Sequence, residues 1–488
     1  MIKFKNLSFS YDNKKGINQL KNINLEIKKG EFVLLCGKSG CGKTSLLRLI
    51  NGLIPNYYEG EISGEVLLLN EDIKSKEIYE VSKIVSTVFQ NPKSQFFNLD
   101  TTSEILFSLE NHGVNKVEIE KRLDASIKAF DISKLLDKNI FELSGGEKQK
   151  IAVASAYASN TDIVLFDEPT SNLDMESIDK IREMLMELKN EGKTIIISEH
   201  RLYFLKDLID RAIYIENGEI KKEFSKEEFS SLSEVNRIKL GLRKIEMNNL
   251  ELNNKNNVNK SKKLEIKKLK FNYSGLKKFK LNISDIMFNF GSIVGIIGKN
   301  GQGKSTFANS LIGLQKKGET KVFIDKKRMK SKKRLEKSYL VMQNVGYQLF
   351  TESVEEELKL GANKELYQNR VKNVLTNLNI DSLKEAHPLS LSGGQQQRVS
   401  IGAGICSGSE ILCFDEPTSG MDYFHMIETA KIIKSISNKD NIIFIISHDL
   451  EFLYNTVDTI IRIDNGQIEE NYKLEKNSFD KIVKSLMN

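Results

Sequence analysis

Apolar residues fall along this chain in two rhythms. Short, wholly apolar runs such as Phe32-Val33-Leu34-Leu35-Cys36 and Ile163-Val164-Leu165-Phe166 are too brief for helices and predict strands buried on both faces, as in a parallel sheet. Lys3 to Ser10 alternates apolar and polar positions and predicts a half-buried strand ending at Tyr11. Further strands are predicted at 23–27, 64–70, 83–89 and 193–198. The helical rhythm predicts helices at 44–51, 101–110, 116–130, 148–158 and 177–189. Asn217-Gly218 between two short apolar runs predicts a hairpin. Ser225 with Glu228 forms a capping box, and Phe224 with Phe229 a hydrophobic staple, opening another helix. Strands alternating with helices predict an α/β fold.

The pattern then restates itself. Gly37-Lys38-Ser39-Gly40-Cys41-Gly42-Lys43-Thr44 and Gly298-Lys299-Asn300-Gly301-Gln302-Gly303-Lys304-Ser305 both fit G-x-x-x-x-G-K-[ST]. Glycines let the backbone curl so that successive N–H groups face one anion. The following helix offers its N-terminus to the same phosphate. Lys43 and Lys304 add positive charge, and Thr44 and Ser305 place a hydroxyl on a magnesium ion. Tyr11 and Tyr273 precede their loops at nearly the same offset. An aromatic residue there can close a half-buried strand or stack on an adenine face. The recurrence favours stacking.

The remaining chemistry recurs in the same order. Gln90 and Gln343 end strands, each with a second glutamine, Gln95 or Gln348, five positions on. A glutamine carbonyl there can reach a metal ion or its water, and the spacing predicts a loop turning into a short helix. Leu143-Ser144-Gly145-Gly146-Glu147 and Leu391-Ser392-Gly393-Gly394-Gln395 each open a helix. Ser144 is a candidate N-cap, and the two glycines expose N–H groups to an anion. Asp167-Glu168 and Asp415-Glu416 close apolar strands at the end of an open sheet where ligands bind. The first carboxylate suits magnesium, and the second can polarise a water attacking a γ-phosphate. His200 and His448 each follow the glutamate by 32 positions, which favours a γ-phosphate-sensing role.

Composition adds limits. The 488 residues suit two domains at the repeat spacing, and 40% hydrophobic content is enough for a core in each. The boundaries read as 1–245 and 264–488, joined by an asparagine- and lysine-rich flexible linker at 246–263. Cys36, Cys41, Cys406 and Cys413 show no metal-like spacing, so a reduced, cytosolic setting is expected. A net charge of +7 spread over many lysines predicts solvated surface, not nucleic-acid binding. No apolar run approaches the ~20 residues that span a bilayer, and the start is not a signal peptide. A soluble chain is expected, with any membrane role requiring partners.

Taken together, the P-loops, the LSGGE and LSGGQ segments and the D-E-P-T strand ends resemble the ATP-binding-cassette (ABC) ATPases, as two complete cassettes in tandem. The resemblance implies two P-loop NTPase domains, each with a mostly parallel core sheet, an antiparallel β subdomain and a helical subdomain. It implies ATP and Mg2+ as cofactors. It also implies an intramolecular head-to-tail pair. Gly37, Ser39, Gly40, Gly42, Lys43, Thr44 and Ser45, with Gln90, Asp167, Glu168 and His200, would face Ser392, Gly393 and Gly394. Gly298, Asn300, Gly301, Gly303, Lys304, Ser305 and Thr306, with Gln343, Asp415, Glu416 and His448, would face Ser144, Gly145 and Gly146. No catalytic position is missing on either side, so both sites are expected to hydrolyse ATP. Departures are Glu147 for the usual glutamine, Asn172-Leu173-Asp174 for Gly-Leu-Asp, and Ser198-Glu199-His200-Arg201 for His-Asp, which the second half keeps as His448-Asp449.

Three classes compete. Phe89-Gln90-Asn91-Pro92 with Gln95-Phe96, the segment from Glu104 to Asn111, and the echoes at Asn344, Gln348 to Phe350 and Glu355 to Leu358 are most similar to energy-coupling-factor (ECF) importer ATPases. That class implies an integral membrane coupling subunit, a membrane-embedded substrate-binding subunit carrying a vitamin, vitamin precursor or metal ion, and a place at the cytoplasmic face of the membrane. The second copy has Val345 where the first has Pro92. A fused sugar-importer ATPase usually has one degenerate cassette, unlike this chain. A ribosome-binding twin-cassette factor usually carries a long charged arm between cassettes, and the linker here is short.

Overall fold

The computed structural model describes residues 1–12, 18–247, 250, 252, 259–272, 280–315, 318–360 and 367–487. It divides into two compact units, Met1–Met247 with Asp422–Phe424, and Asn248–Met421 with His425–Asn488.

The first unit's strands are β1 (Ile2–Tyr11), β2 (Leu20–Ile27), β3 (Phe32–Cys36), β4 (Gly60–Leu68), β5 (Glu71–Asp72), β6 (Val85–Val88), β7 (Ile163–Asp167), β8 (Thr194–Ser198), β9 (Arg211–Glu216) and β10 (Glu219–Ser225). Six form one sheet in the order β10-β9-β3-β8-β7-β6. Every neighbour pair is parallel except the β9–β10 hairpin. The all-apolar sequences of β3 and the middle of β7 dictate this position, since every residue of β3 and β8 is buried. A second, antiparallel sheet runs β2-β1-β4-β5. Alternation along β1, reset by a bulge between Phe4 and Leu7, puts Phe4, Leu7 and Phe9 into a core shared with Leu46, Leu49 and Ile50 of the helix Lys43–Ile50. Helices Thr101–Asn111, Lys116–Phe130 and Gly145–Ala158 lie over the other face with Met175–Asn190. The Ser225 capping box is present, and the Phe224 and Phe229 rings meet edge to face at 6.2 Å.

The second unit repeats the plan. Its strands are β11 (Asn259–Asn272), β12 (Lys280–Ile283), β13 (Ile286–Phe290), β14 (Ile293–Ile297), β15 (Glu319–Ile324), β16 (Lys327–Met329), β17 (Ser338–Val341), β18 (Ile411–Asp415), β19 (Ile442–Ile446), β20 (Thr459–Asp464) and β21 (Gln467–Lys473). The core sheet runs β17-β18-β19-β14-β20-β21, the first unit's order read from its other edge. The antiparallel sheet runs β12-β11-β15-β16, with β13 also on β11. Strand β11 begins at Asn259 and pairs there with Phe290, so residues 259–263 are strand where composition predicted linker. This end of β11 pairs with β13 ahead of Leu264, where pairing with β15 begins, and a strand end of this kind tolerates lysine and asparagine, and so carried no apolar signal. Most of the remaining predicted linker, and Tyr273, lie outside the described residues.

Among the described residues, no helix is long and apolar enough to cross a membrane. The four cysteines are buried and unpaired in disulfides.

Candidate active site

Parallel strands deliver the predicted side chains to one edge of each core sheet. In the first unit the P-loop follows β3, Gln90 follows β6, Asp167 and Glu168 end β7, and His200 follows β8. All lie at carboxyl ends of strands, where an open α/β sheet leaves a crevice.

The loop's shape depends on glycine. Gly37 has φ of 142°, and a Cβ there would stand 2.1 Å from the Ile215 carbonyl oxygen. Gly42, at φ 115°, caps the helix Lys43–Ile50 without side-chain help and packs against Leu20. Lys43 is buried, and its Nζ donates to the carbonyls of Gly37 at 3.0 Å and Lys38 at 2.9 Å. Its charge is therefore held against the loop. Thr44 Oγ1 donates to Asp167 Oδ1 at 3.1 Å, and Ser198 Oγ donates to the same oxygen at 3.0 Å.

Glu168 has φ of 45°, a left-handed conformation that costs a residue with a side chain. Its N–H donates to the Ser198 carbonyl at 2.8 Å, which fixes the bend. The carboxylate then turns inward. Gln90 Nε2 donates to Glu168 Oε2 at 2.8 Å, and His200 Nε2 lies 3.3 Å from Oε1. The same His200 nitrogen lies 3.5 Å from Ser39 Oγ. The histidine thus bridges P-loop and glutamate. The two carboxyls are pushed apart. Burial raises Asp167, and the neighbouring Glu168 charge adds to this. Burial also works to raise Glu168, but the charge and hydrogen bond of His200, with Lys43, bring it below its usual value.

The second unit matches. Gly298 has φ of 145°, and a Cβ there would lie 2.2 Å from the Ile463 carbonyl oxygen. Lys304 Nζ donates to Gly298 and Lys299 carbonyls at 2.7 and 2.9 Å. Glu416 is left-handed at φ 49°, with its N–H on the Ile446 carbonyl at 2.9 Å. His448 Nε2 stands 3.5 Å from Glu416 Oε1 and 3.2 Å from Asn300 Oδ1. Asp415 is raised by burial, against a hydrogen bond from Ser305 and the Lys304 charge. Gln343 sits exposed just past β17, and Thr306 is buried in the helix Lys304–Ile312.

Other predicted residues sit elsewhere. Ser144 and Ser392 cap the helices Gly145–Ala158 and Gly393–Cys406, each in a capping box closed by Glu147 or Gln395. Gly145 and Gly393 have open space around them. Among the described residues, no hydrogen bond ties Ser144, Gly145 or Gly146 to the P-loop network of their own unit, nor Ser392, Gly393 or Gly394 to theirs. Tyr11 is edge-on to Phe9 at 4.6 Å, and its hydroxyl lies 3.0 Å from Ser45 Oγ and accepts from Arg48 at 3.2 Å. Arg48 escaped the sequence reading, and Ser198 was given no role in it. Neither belongs to a repeated motif. Gln95 and Gln348 turn back on their own strands, accepting from Phe89 N and Met342 N at 3.1 Å each. The single turns Pro92–Ser94 and Val345–Tyr347 lie between the paired glutamines.

A pair of buried glutamates anchors the loops that follow the strand-end glutamines. Glu104 is buried, and its Oε2 accepts from Phe97 N at 3.0 Å and Asn98 N at 2.8 Å. Glu357 is buried likewise and accepts from Phe350 N and Thr351 N at 3.2 Å each. Each follows its strand-end glutamine by 14 positions, a recurrence that could have marked it. The segments so held carry Phe97, 77% exposed, and Phe350, 74% exposed. Leu99 and Phe141 are exposed as well, on segments joined where Ile140 N donates to the Leu99 carbonyl at 2.8 Å. Tyr347 and Leu389 are exposed in the second unit.

The family profile described as ABC transporter matches residues 20–171 and again 281–419. The chain belongs to the ABC transporter family. A Treponema denticola protein with the provisional name ABC transporter ATP-binding protein is 42% identical over 472 residues, covering 96% of each chain. A second from that organism, named likewise, is 40% identical over 479 residues and covers 97% of each. A Saccharolobus solfataricus relative is 31% identical over 469 residues, 91% of this chain and 88% of its own. Among solved structures, one titled as ribosome-bound archaeal Pelota and ABCE1 matches with TM-score 0.71 and 24% identity, over 98% of this chain and 80% of that one. One titled RNase-L Inhibitor matches with TM-score 0.65 and 20% identity, over 98% and 92%. At these identities the structural likeness speaks for the fold alone. The chain is an ABC ATP-binding protein with two fused cassettes, and both are P-loop NTPase domains.

The residues suit the cofactors of such a domain. Two glycine cradles, each closed to a Cβ at its first glycine and each with a buried lysine, fit a polyphosphate. Thr44 with Asp167, and Ser305 with Asp415, supply hard oxygen donors suited to Mg2+.

Proposed function

We propose that this chain is the ATP-hydrolysing subunit of a membrane importer of the energy-coupling-factor type, serving uptake of a vitamin, vitamin precursor or metal ion. Lys43 and Lys304, with their loops, bind the ATP phosphates. Thr44, Asp167 and Gln90 hold Mg2+ in the first cassette, and Ser305, Asp415 and Gln343 in the second. The ion offsets phosphate charge when bound. Glu168 and Glu416 take a proton from the attacking water, and His200 and His448 sense the γ-phosphate. Tyr11 and Tyr273 stack on adenine. Ser144, Gly145 and Gly146 complete the second cassette's site, and Ser392, Gly393 and Gly394 the first, in a head-to-tail pair.

The observation that carries the importer reading is the pair of exposed aromatic loops anchored beside the strand-end glutamines. Phe97, Leu99 and Phe141 are exposed in the first unit, and Tyr347, Phe350 and Leu389 in the second. Apolar surface of this kind marks a docking site, and its link to Gln90 and Gln343 connects it to the nucleotide. A membrane coupling subunit is the occupant this reading assigns. It would be joined by a membrane-embedded substrate-binding subunit, and the chain would lie at the cytoplasmic face of the membrane. The test is purification of the chain from detergent-solubilised membranes of its own cells. An integral membrane protein that stimulates the ATPase, and is lost with Phe97→Asp, is expected. Co-purifying ribosomal proteins in its place would overturn the reading.

A further inference from the structure

The two histidine turns are built differently. In the first cassette, Glu199 stands immediately before His200 and is buried at 2% exposure. One of its oxygens accepts from His200 N at 2.7 Å and Arg201 N at 3.1 Å. The other accepts from Thr170 N at 3.2 Å and Thr170 Oγ1 at 2.7 Å. Thr170 is the second residue after Glu168. Arg201 is buried too, and its guanidinium donates to the Thr170 carbonyl at 3.3 Å and the Leu173 carbonyl at 3.0 Å. A buried carboxylate takes both donors of Thr170, and a buried guanidinium takes the carbonyls of Thr170 and Leu173. Burying two charges is tolerable only because every one of these bonds is made.

In the second cassette, Ser447 and Asp449 flank the histidine. Asp449 accepts from Thr418 Oγ1 at 3.2 Å and caps the helix Leu450–Thr456 through Phe452 N at 3.1 Å. Thr418 follows Glu416 as Thr170 follows Glu168. The same threonine is thus held from the residue before the histidine in one cassette and from the residue after it in the other.

We propose that Glu199 and Arg201 are positioning residues that lock His200 to the turn following Glu168, and that turnover at the first site depends on this lock. The proposal rests on the reading of His200 as a γ-phosphate contact. Through Thr170 the lock couples the histidine to the backbone that carries the water-activating glutamate, so loosening it displaces both groups at once. ATP affinity resides in the P-loop and is left largely unchanged.

The test measures kcat and KM for ATP in the full chain carrying His200→Ala, Thr170→Val, Glu199→Ser, Arg201→Asp, or the last two together. Thr170→Val keeps shape and removes only the hydroxyl. It and both single swaps are expected to lower first-site turnover, read as kcat in a Glu416→Gln background that silences the second site, by about fivefold or more, with KM moved less than about twofold. The double swap installs the second cassette's own solution and is expected to recover most of the lost rate, because Asp at 201 can accept from Thr170. General structural damage would not be repaired by a second substitution. Wild-type kcat in Thr170→Val, with His200→Ala impaired, overturns the lock while sparing the role of His200. Wild-type kcat in His200→Ala overturns both. A soluble double swap no faster than the worse single swap also counts against the lock.

Discussion

Glu168 and Glu416 are each bent into a left-handed conformation at the end of a buried strand. Strain of this kind persists where the surroundings over-determine it, and here the backbone N–H of each is tied to the neighbouring strand. Glu168 is held below its usual value of 4.5 despite burial. A depressed carboxylate contributes stability that is full above its unfolded value and lost as pH falls through its folded value. The unfolding free energy of wild type relative to Glu168→Gln should therefore be flat from pH 7 to about 5 and fall below about 4.5. Denaturant titrations over that range check it. A wild type that gains on the variant during acidification would mean a raised carboxyl. The glycines make a second prediction. Gly40 is left-handed with nothing near a Cβ, whereas Gly37 meets a carbonyl. Gly40→Ala should cost about 1 kcal/mol, and Gly37→Ala clearly more, with loss of ATP binding, by thermal melts with and without nucleotide.

At the scale of elements, the repeat made most of the fold legible. All-apolar runs marked the core strands, and the motifs fell at their carboxyl ends because that is where a parallel sheet opens. The antiparallel sheets were harder to see. Strand β11 begins in lysines and asparagines that also suit a linker, and β5 is two residues long. The candidate site was legible as residue types but not as bonds. Nothing in the sequence said that Ser198 would support Asp167, or that Glu199 and Arg201 would clamp Thr170. Glu104 and Glu357 show what recurrence can reveal, since a buried glutamate at one offset twice implies a shared structural task. Glu104→Gln removes a carboxylate that accepts from two backbone N–H groups. It should cost about 1–3 kcal/mol, leave basal ATP hydrolysis near wild type, and weaken stimulation by a membrane partner. Melts and ATPase assays with and without detergent-solubilised membranes read all three effects.

For the whole molecule, duplication is the organising fact. Both units carry the full set of P-loop lysine, hydroxyl, paired carboxylates and histidine, and neither is degenerate. Under the head-to-tail proposal, Ser144→Arg should damage the Lys304 site more than the Lys43 site, read by photo-crosslinked nucleotide at each loop. Equal damage would count against that arrangement. The central claim is that two intact cassettes hydrolyse ATP through Glu168 and Glu416. Its most direct test is steady-state ATP hydrolysis by Glu168→Gln, Glu416→Gln and the double variant, with nucleotide binding measured alongside. Each single variant should lose much of the rate. The double should fall by about 10²-fold or more while still binding ATP. A double variant that hydrolyses ATP at the wild-type rate would contradict the account.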